Sequence, residues 1–220
     1  MYNIAMIFTR HQEIGNCNSE ELYKIIQTIK PEIIFEELQY SVFNEVYKEN
    51  IRTTLETNAI KLYLQSHNVK HIPVDTYSRT KSFEEECDYM NEKVSNQISK
   101  ESFHYRGLIN NLTSLISHNG FSFLNSDQND RLFEEIELLK VKILNSLNDE
   151  NLFRIANLEK EVIEKRECEI LDNIYDVSKK HIYKQGLLFI GSGHRKEIIK
   201  KFKESRKQDK IDVNWIFYNN

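Results

Sequence analysis

The chain predicts an α/β fold: a mostly parallel five-stranded sheet with helices on both faces and a long helical insertion between the third and fourth strands. Three observations predict it. Five apolar segments are too short for helices and rich in Ile, Val and Phe. The intervals between most of them carry apolar residues at helical spacing. Finally, 6 Gly and 2 Pro in 220 residues are too few for a sandwich or barrel, which needs a turn about every 8 to 12 residues.

The first strand is expected over Asn3 to Phe8 and the second over Glu32 to Glu37. Between them Asn18 can cap a helix, Glu21 completes a capping box, and Leu22, Ile25, Ile26 and Ile29 form one stripe before Pro31 stops it. Val42 to Leu64 reads as a further helix leading into a third strand, Lys70 to Val74. A fourth strand, Leu187 to Ile190, is followed by a Lys-rich helix from His194 to about Gln208 and a fifth strand over Asp212 to Tyr218. Such alternation implies right-handed crossovers in a parallel sheet.

Residues 82–180 break the rhythm and read as a helical insertion, or cap, within a single domain spanning 1–220. Leu132, Phe133, Ile136, Leu139, Ile143 and Leu147 line one helix face, and a second long helix runs through Leu152 to Ile174. A polar turn around Gly120 separates these from an earlier helical pair, whose Phe and Tyr residues between 103 and 123 suit a core or a roof over a site.

With 30 Lys plus Arg against 34 Asp plus Glu, the net charge of −4 argues against a dedicated nucleic-acid binder. No apolar run approaches the roughly 20 residues of a membrane span, and the start lacks the basic flank of a signal peptide. Three scattered cysteines, Cys17, Cys87 and Cys168, offer no disulfide framework or structural zinc pattern. A soluble, cytoplasmic protein is expected. Cys87 and Cys168 read as packing residues, and Cys17 as a small loop residue or as a thiol activated at a helix start.

In open parallel sheets ligands bind at the carboxyl ends of the strands. The first strand delivers Thr9, Arg10 and His11 there, with Glu13 just beyond; the second delivers Glu36 and Glu37, the third Asp75, and the fourth Gly191-Ser192-Gly193-His194. One such residue alone is usually a turn or cap. Histidines and carboxylates from four strands converging on one edge suit a divalent metal or general acid and base work. The Gly-Ser-Gly-His turn is neither a Walker loop nor a complete dinucleotide fingerprint. His67, His71, His104, His118 and His181 show no ligand spacing, and the Lys-rich run 196–210 reads as a solvated helix face.

The order of these residues resembles the TraB/Tiki superfamily, which includes ChaN-like and erythromycin-esterase-like proteins. Phe8-Thr9-Arg10-His11 is similar to its first Gly-Thr-x-His motif, the strand ending at Glu37 to its Glu-Leu strand, Lys165-Arg166-Glu167 to its Glu-Arg-Asp or Glu-Arg-Asn helix motif, and Gly191 to His194 to its second Gly-x-x-His motif. Phe8 departs from the Gly of the first motif, and Glu167 from the shorter Asp or Asn. The resemblance implies a metal-assisted hydrolase of peptide or ester bonds, with a small-molecule or peptide substrate; charge and hydropathy, as above, leave no nucleic-acid or membrane partner expected. His11, Glu37 and His194 would hold Mn, Co or Zn, with Glu13 or Asp75 completing the shell. Arg166 would stabilise an oxyanion or orient Glu37. Two other readings stand beside it: a non-catalytic protein binding haem, a nucleotide or a small anion at the same edge, and an interaction module in which His11, Glu37 and His194 do not meet.

Overall fold

The computed structural model describes residues 2–77, 80–205 and 213–218. Among them, five strands form one parallel sheet in the order β3-β2-β4-β1-β5. They are β1 (Tyr2–Thr9), β2 (Ile33–Gln39), β3 (Lys70–Asp75), β4 (Gln185–Gly191) and β5 (Val213–Phe217). The α/β architecture, the parallel sheet and the long helical region between β3 and β4 are as the sequence predicts.

The chain moves outward from β1 to β3 with α1 (Ser19–Ile29) and α3 (Leu55–Leu64) packed on one face, then returns through β4 and β5 with α7 (Glu150–Lys180) and α8 (Arg195–Ser205) on the other. The pleat sends alternate side chains to opposite faces. Ala5, Ile7, Ile34, Leu187 and Phe189 therefore meet α1 and α3, together with α5 (Lys100–Leu124) and α6 (Asp127–Leu147). Ile4, Met6, Phe8, Phe35, Leu188 and Ile190 meet α7 and α8. β1 and β4 are buried on both faces, whereas the edge strand β5 leaves Ile216 exposed.

Asn18 caps α1 by accepting from the Glu21 amide. The insertion, α4 (Lys81–Asn96) through α7, has a core of its own, where Cys87, Met90 and Val94 pack on Ile143, Leu144, Leu152 and Ile155. At about 1.5 Å per residue, α7 is long enough to reach from this satellite core to the sheet, where Ile170 and Ile174 are fully buried. Arg166 and Glu167 lie between the two.

Two local expectations change. Residues 42–64 are not one helix: a short α2 (Phe43–Tyr47) is followed by an irregular segment in which Asn50 and Arg52 adopt left-handed φ angles, and Thr54 then caps α3 in a reciprocal box with Thr57. The turn expected around Gly120 is present: the residue interrupts α5 with φ 55 and ψ −134, a non-helical conformation that Gly tolerates, and a Cβ there would lie 2.6 Å from the Asn16 carbonyl oxygen. A second break follows at Asn125, whose side chain bonds both the N–H and the C=O of Phe8. Cys168 is exposed rather than packed. The end of the Lys-rich helix, residues 206–210, and the start of the fifth strand at Asp212 lie outside the described residues. Among those described, no helix is long and apolar enough to cross a membrane.

Candidate functional site at the carboxyl edge of the sheet

Successive residues of β2 point to opposite faces, so Glu36 and Glu37 enter different neighbourhoods at the same edge. Glu37 joins a network on the α7 side. Arg166 donates to Glu37 Oε1 at 2.9 Å and to Asp75 Oδ2 at 2.7 Å, and the Gly191 N–H donates to Glu37 Oε2 at 2.7 Å. His194 places Nε2 3.5 Å from Glu37 Oε1 and Nδ1 2.8 Å from Glu167 Oε1. Glu167 also receives Lys201, and Asp75 Oδ1 accepts from the Tyr77 N–H. Both oxygens of Glu37, Asp75 and Glu167 are thus engaged.

The electrostatics follow from this pairing. Burial pushes the Glu37 carboxyl up, but the His194 hydrogen bond, the His194 and Arg166 charges and the Gly191 amide outweigh it and hold it at about 2. Burial likewise pushes His194 down, and its bonds to Glu167 and Glu37 overcome that to raise it to about 9. Glu37 is therefore ionised and His194 protonated at neutral pH.

A cavity of about 270 Å³ opens beside this network, walled by Thr9, His11, Glu36, Glu37, Glu56 and Asp75. Its far side is the irregular segment after α2, which contributes Arg52 and Thr54. Glu36 is satisfied by His71 at 2.7 Å and by the Tyr47 hydroxyl, with His71 packed against the rings of Phe43 and Tyr47. Glu56, in the first turn of α3, accepts from Thr9 Oγ1 at 2.6 Å through Oε1 and lies 3.3 Å from His11 Nδ1 through the same oxygen. Glu56 Oε2 is buried and has no hydrogen-bond partner. Its bond and charge raise the pKa of His11, which is more than half exposed at the cavity mouth.

The edge thus brings together Glu37, Asp75, Arg166 and His194, with Arg166 paired to Glu37. His11 lines the same cavity as Glu37 and Asp75 but takes Glu56 as its partner. Glu13 is elsewhere: its side chain accepts from the Ser19 N–H at the start of α1. Among the described residues, no group of three or more His, Cys, Asp and Glu side chains is arranged to hold a metal ion. Both nitrogens of His194 already face carboxylates, so the donor set His11, Glu37 and His194 does not fit Mn, Co or Zn as it stands. Cys17 is fully buried, and burial pushes its thiol up to about 12, the opposite of an activated nucleophile.

Sequence reading missed Glu56, because an acidic residue in a helix's first turn is adequately explained by the helix dipole. It also missed the Glu36, Tyr47 and His71 trio. The pairing of β2 with β3 sets Glu36 diagonal to His71 on one face, and only the strand register reveals that.

Against known proteins, residues 1–73 match the family model described as Sir1, ORC-binding domain. This covers about a third of the chain. The match overturns the TraB/Tiki resemblance, because the segment carrying His11 and Glu37 fits a different family. The ChaN-like and metal-hydrolase classification goes with it. The expectation of a small-molecule or peptide substrate is also corrected: the matched description names ORC, a protein partner, as what that domain binds. No curated protein and no solved structure matches the chain.

Proposed function

We propose that this chain is a protein-binding module whose recognition surface is the acidic cleft at the carboxyl edge of the sheet. One observation carries the reading. The segment matched to a domain described as ORC-binding supplies Thr9, His11, Glu36, Glu37, Arg52 and Glu56, so that of the cavity's lining only Asp75 and Phe189 come from outside it. The mutual pairing of Glu37, Arg166, Asp75 and His194 supports binding over turnover, since an active base or nucleophile needs a lone pair left for substrate. The cytoplasmic location expected from sequence accompanies this reading as a proposal, supported by an exposed free thiol at Cys168, which suits a reducing compartment.

The test is interferometry with purified ORC as the first partner, comparing the parent with Arg52→Glu and His11→Glu at the cleft mouth. The reading expects saturable binding that changes about tenfold or more in both variants, because rim charges steer association. Absence of binding, or binding indifferent to both substitutions, would overturn it.

A further inference from the structure

We propose that the cavity beside β1 and α3 is a socket for one basic side chain, a lysine ammonium or arginine guanidinium, and that Glu56 is the carboxylate that receives it. The inference rests on the protein-binding reading above and names the chemistry at the same cleft. Four carboxylates line the cavity, and all oxygens of three are occupied: Glu36 by His71 and Tyr47, Glu37 by Arg166, His194 and the Gly191 amide, Asp75 by Arg166 and the Tyr77 amide. Glu56 differs. Its side chain is only 10% exposed, Oε1 is fixed by Thr9, and Oε2 has no partner. A buried carboxylate oxygen without a donor is unfavourable, and such groups are rare unless something fills them.

Size and sign restrict what fills it. About 270 Å³ falls just below the usual range for small-molecule pockets, roughly 300–1,000 Å³, and suits a single side chain entering from a partner. The acceptor-rich wall excludes an anion. A cation already at the rim, Arg52, turns instead towards Glu45, with Nε 3.5 Å from Oε2. His11 stands at the mouth, facing Glu56 from α3 and Glu37 from β2, with the positive charge of Arg166 from α7 opposing. When protonated, His11 occupies Glu56 and repels an incoming cation, so the socket opens as His11 loses its proton.

Isothermal titration with blocked Ala/Gly nonapeptides tests this, each carrying one central arginine, lysine, citrulline or glutamate; citrulline is the neutral isostere of arginine. The arginine or lysine peptide should bind at least about tenfold more tightly than the citrulline peptide, and Glu56→Gln should remove that preference. Thr9→Val, which loosens Glu56 without removing its charge, should weaken it less. Binding at pH 6 should be weaker than at pH 8, and His11→Ala should abolish the difference. Equal affinity for arginine and citrulline, indifference to Glu56→Gln in protein that remains folded by circular dichroism, or no peptide binding with only a water on Oε2 would overturn the socket. If ORC still binds through the cleft while these peptides do not, the socket fails and the protein-binding reading stands. If the peptides bind and ORC does not, the reverse holds.

Discussion

Two groups of charges share one edge of the sheet and behave differently. Around Glu37, Arg166 and His194 every carboxylate oxygen has a donor, although the buried Arg166 Nε has no acceptor, and the side chains of Glu37, Asp75, Arg166 and His194 are at most 13% exposed. Around Glu56 and His11 a cavity remains, one buried oxygen is unpartnered, and the histidine stands in solvent. The closed group joins β2, β3, β4, α7 and α8 and so fastens the insertion to the sheet. The open group joins only β1 and α3. The residues with the strongest motif signature thus became a structural lock, while the place left for a ligand is marked by less conspicuous ones.

Breaking the lock should have the largest effect. Arg166→Met leaves Glu37 and Asp75 buried without their shared cation and should destabilise the fold by about 3–5 kcal/mol in urea denaturation. A loss under about 1 kcal/mol would show that the network is not closed.

Next comes pH. His194 has a folded pKa raised to about 9 from 6.5, so its contribution is complete below pH 6.5 and is lost as pH rises through 9. Glu37, lowered to about 2 from 4.5, contributes fully above pH 4.5 and loses that contribution as pH falls through 2. Stability should therefore be greatest between about pH 4.5 and 6.5, and should decline by up to about 3 kcal/mol towards pH 9. His194→Asn should flatten the alkaline limb, whereas His11→Ala should leave it in place.

A matched pair of substitutions sharpens the contrast. Glu37→Gln removes a charge that two cations share and should lower stability by about 2 kcal/mol or more, while Glu56→Gln should change it by less than about 1 kcal/mol. The smallest effect is expected for His11→Ala, within about 0.5 kcal/mol in thermal unfolding, because the histidine stands in solvent, which screens its charge.

The fold was legible because its signals are local and repeated. β1 and β4 are short apolar runs, α1 carries its cap in Asn18, and α6 carries a stripe from Leu132 to Leu147. Where the reading slipped, the decisive contact was distant. The close approach of Asn16 to Gly120, from more than a hundred residues away, has no local signature. Arg52 bends the chain after α2, and nothing in its neighbours distinguishes that bend from a continuing helix. The edge residues were legible as a set, since parallel strands must end together. Their partners were not: Arg166 reaches Glu37 across 129 positions, and whether His11 faces Glu37 or Glu56 depends on how α3 docks. The short motifs also suggested a family that the longer N-terminal match does not support, since four-residue patterns carry less information than 73 matched positions.

The division of the edge can be measured directly by following side-chain carboxyl carbon shifts of Glu56 and Glu37 by NMR while methylguanidinium is added at pH 8. A saturable shift is expected at Glu56 with Glu37 unmoved, because one carboxylate is open and the other is already filled. A shift at Glu37, or at neither, would contradict it.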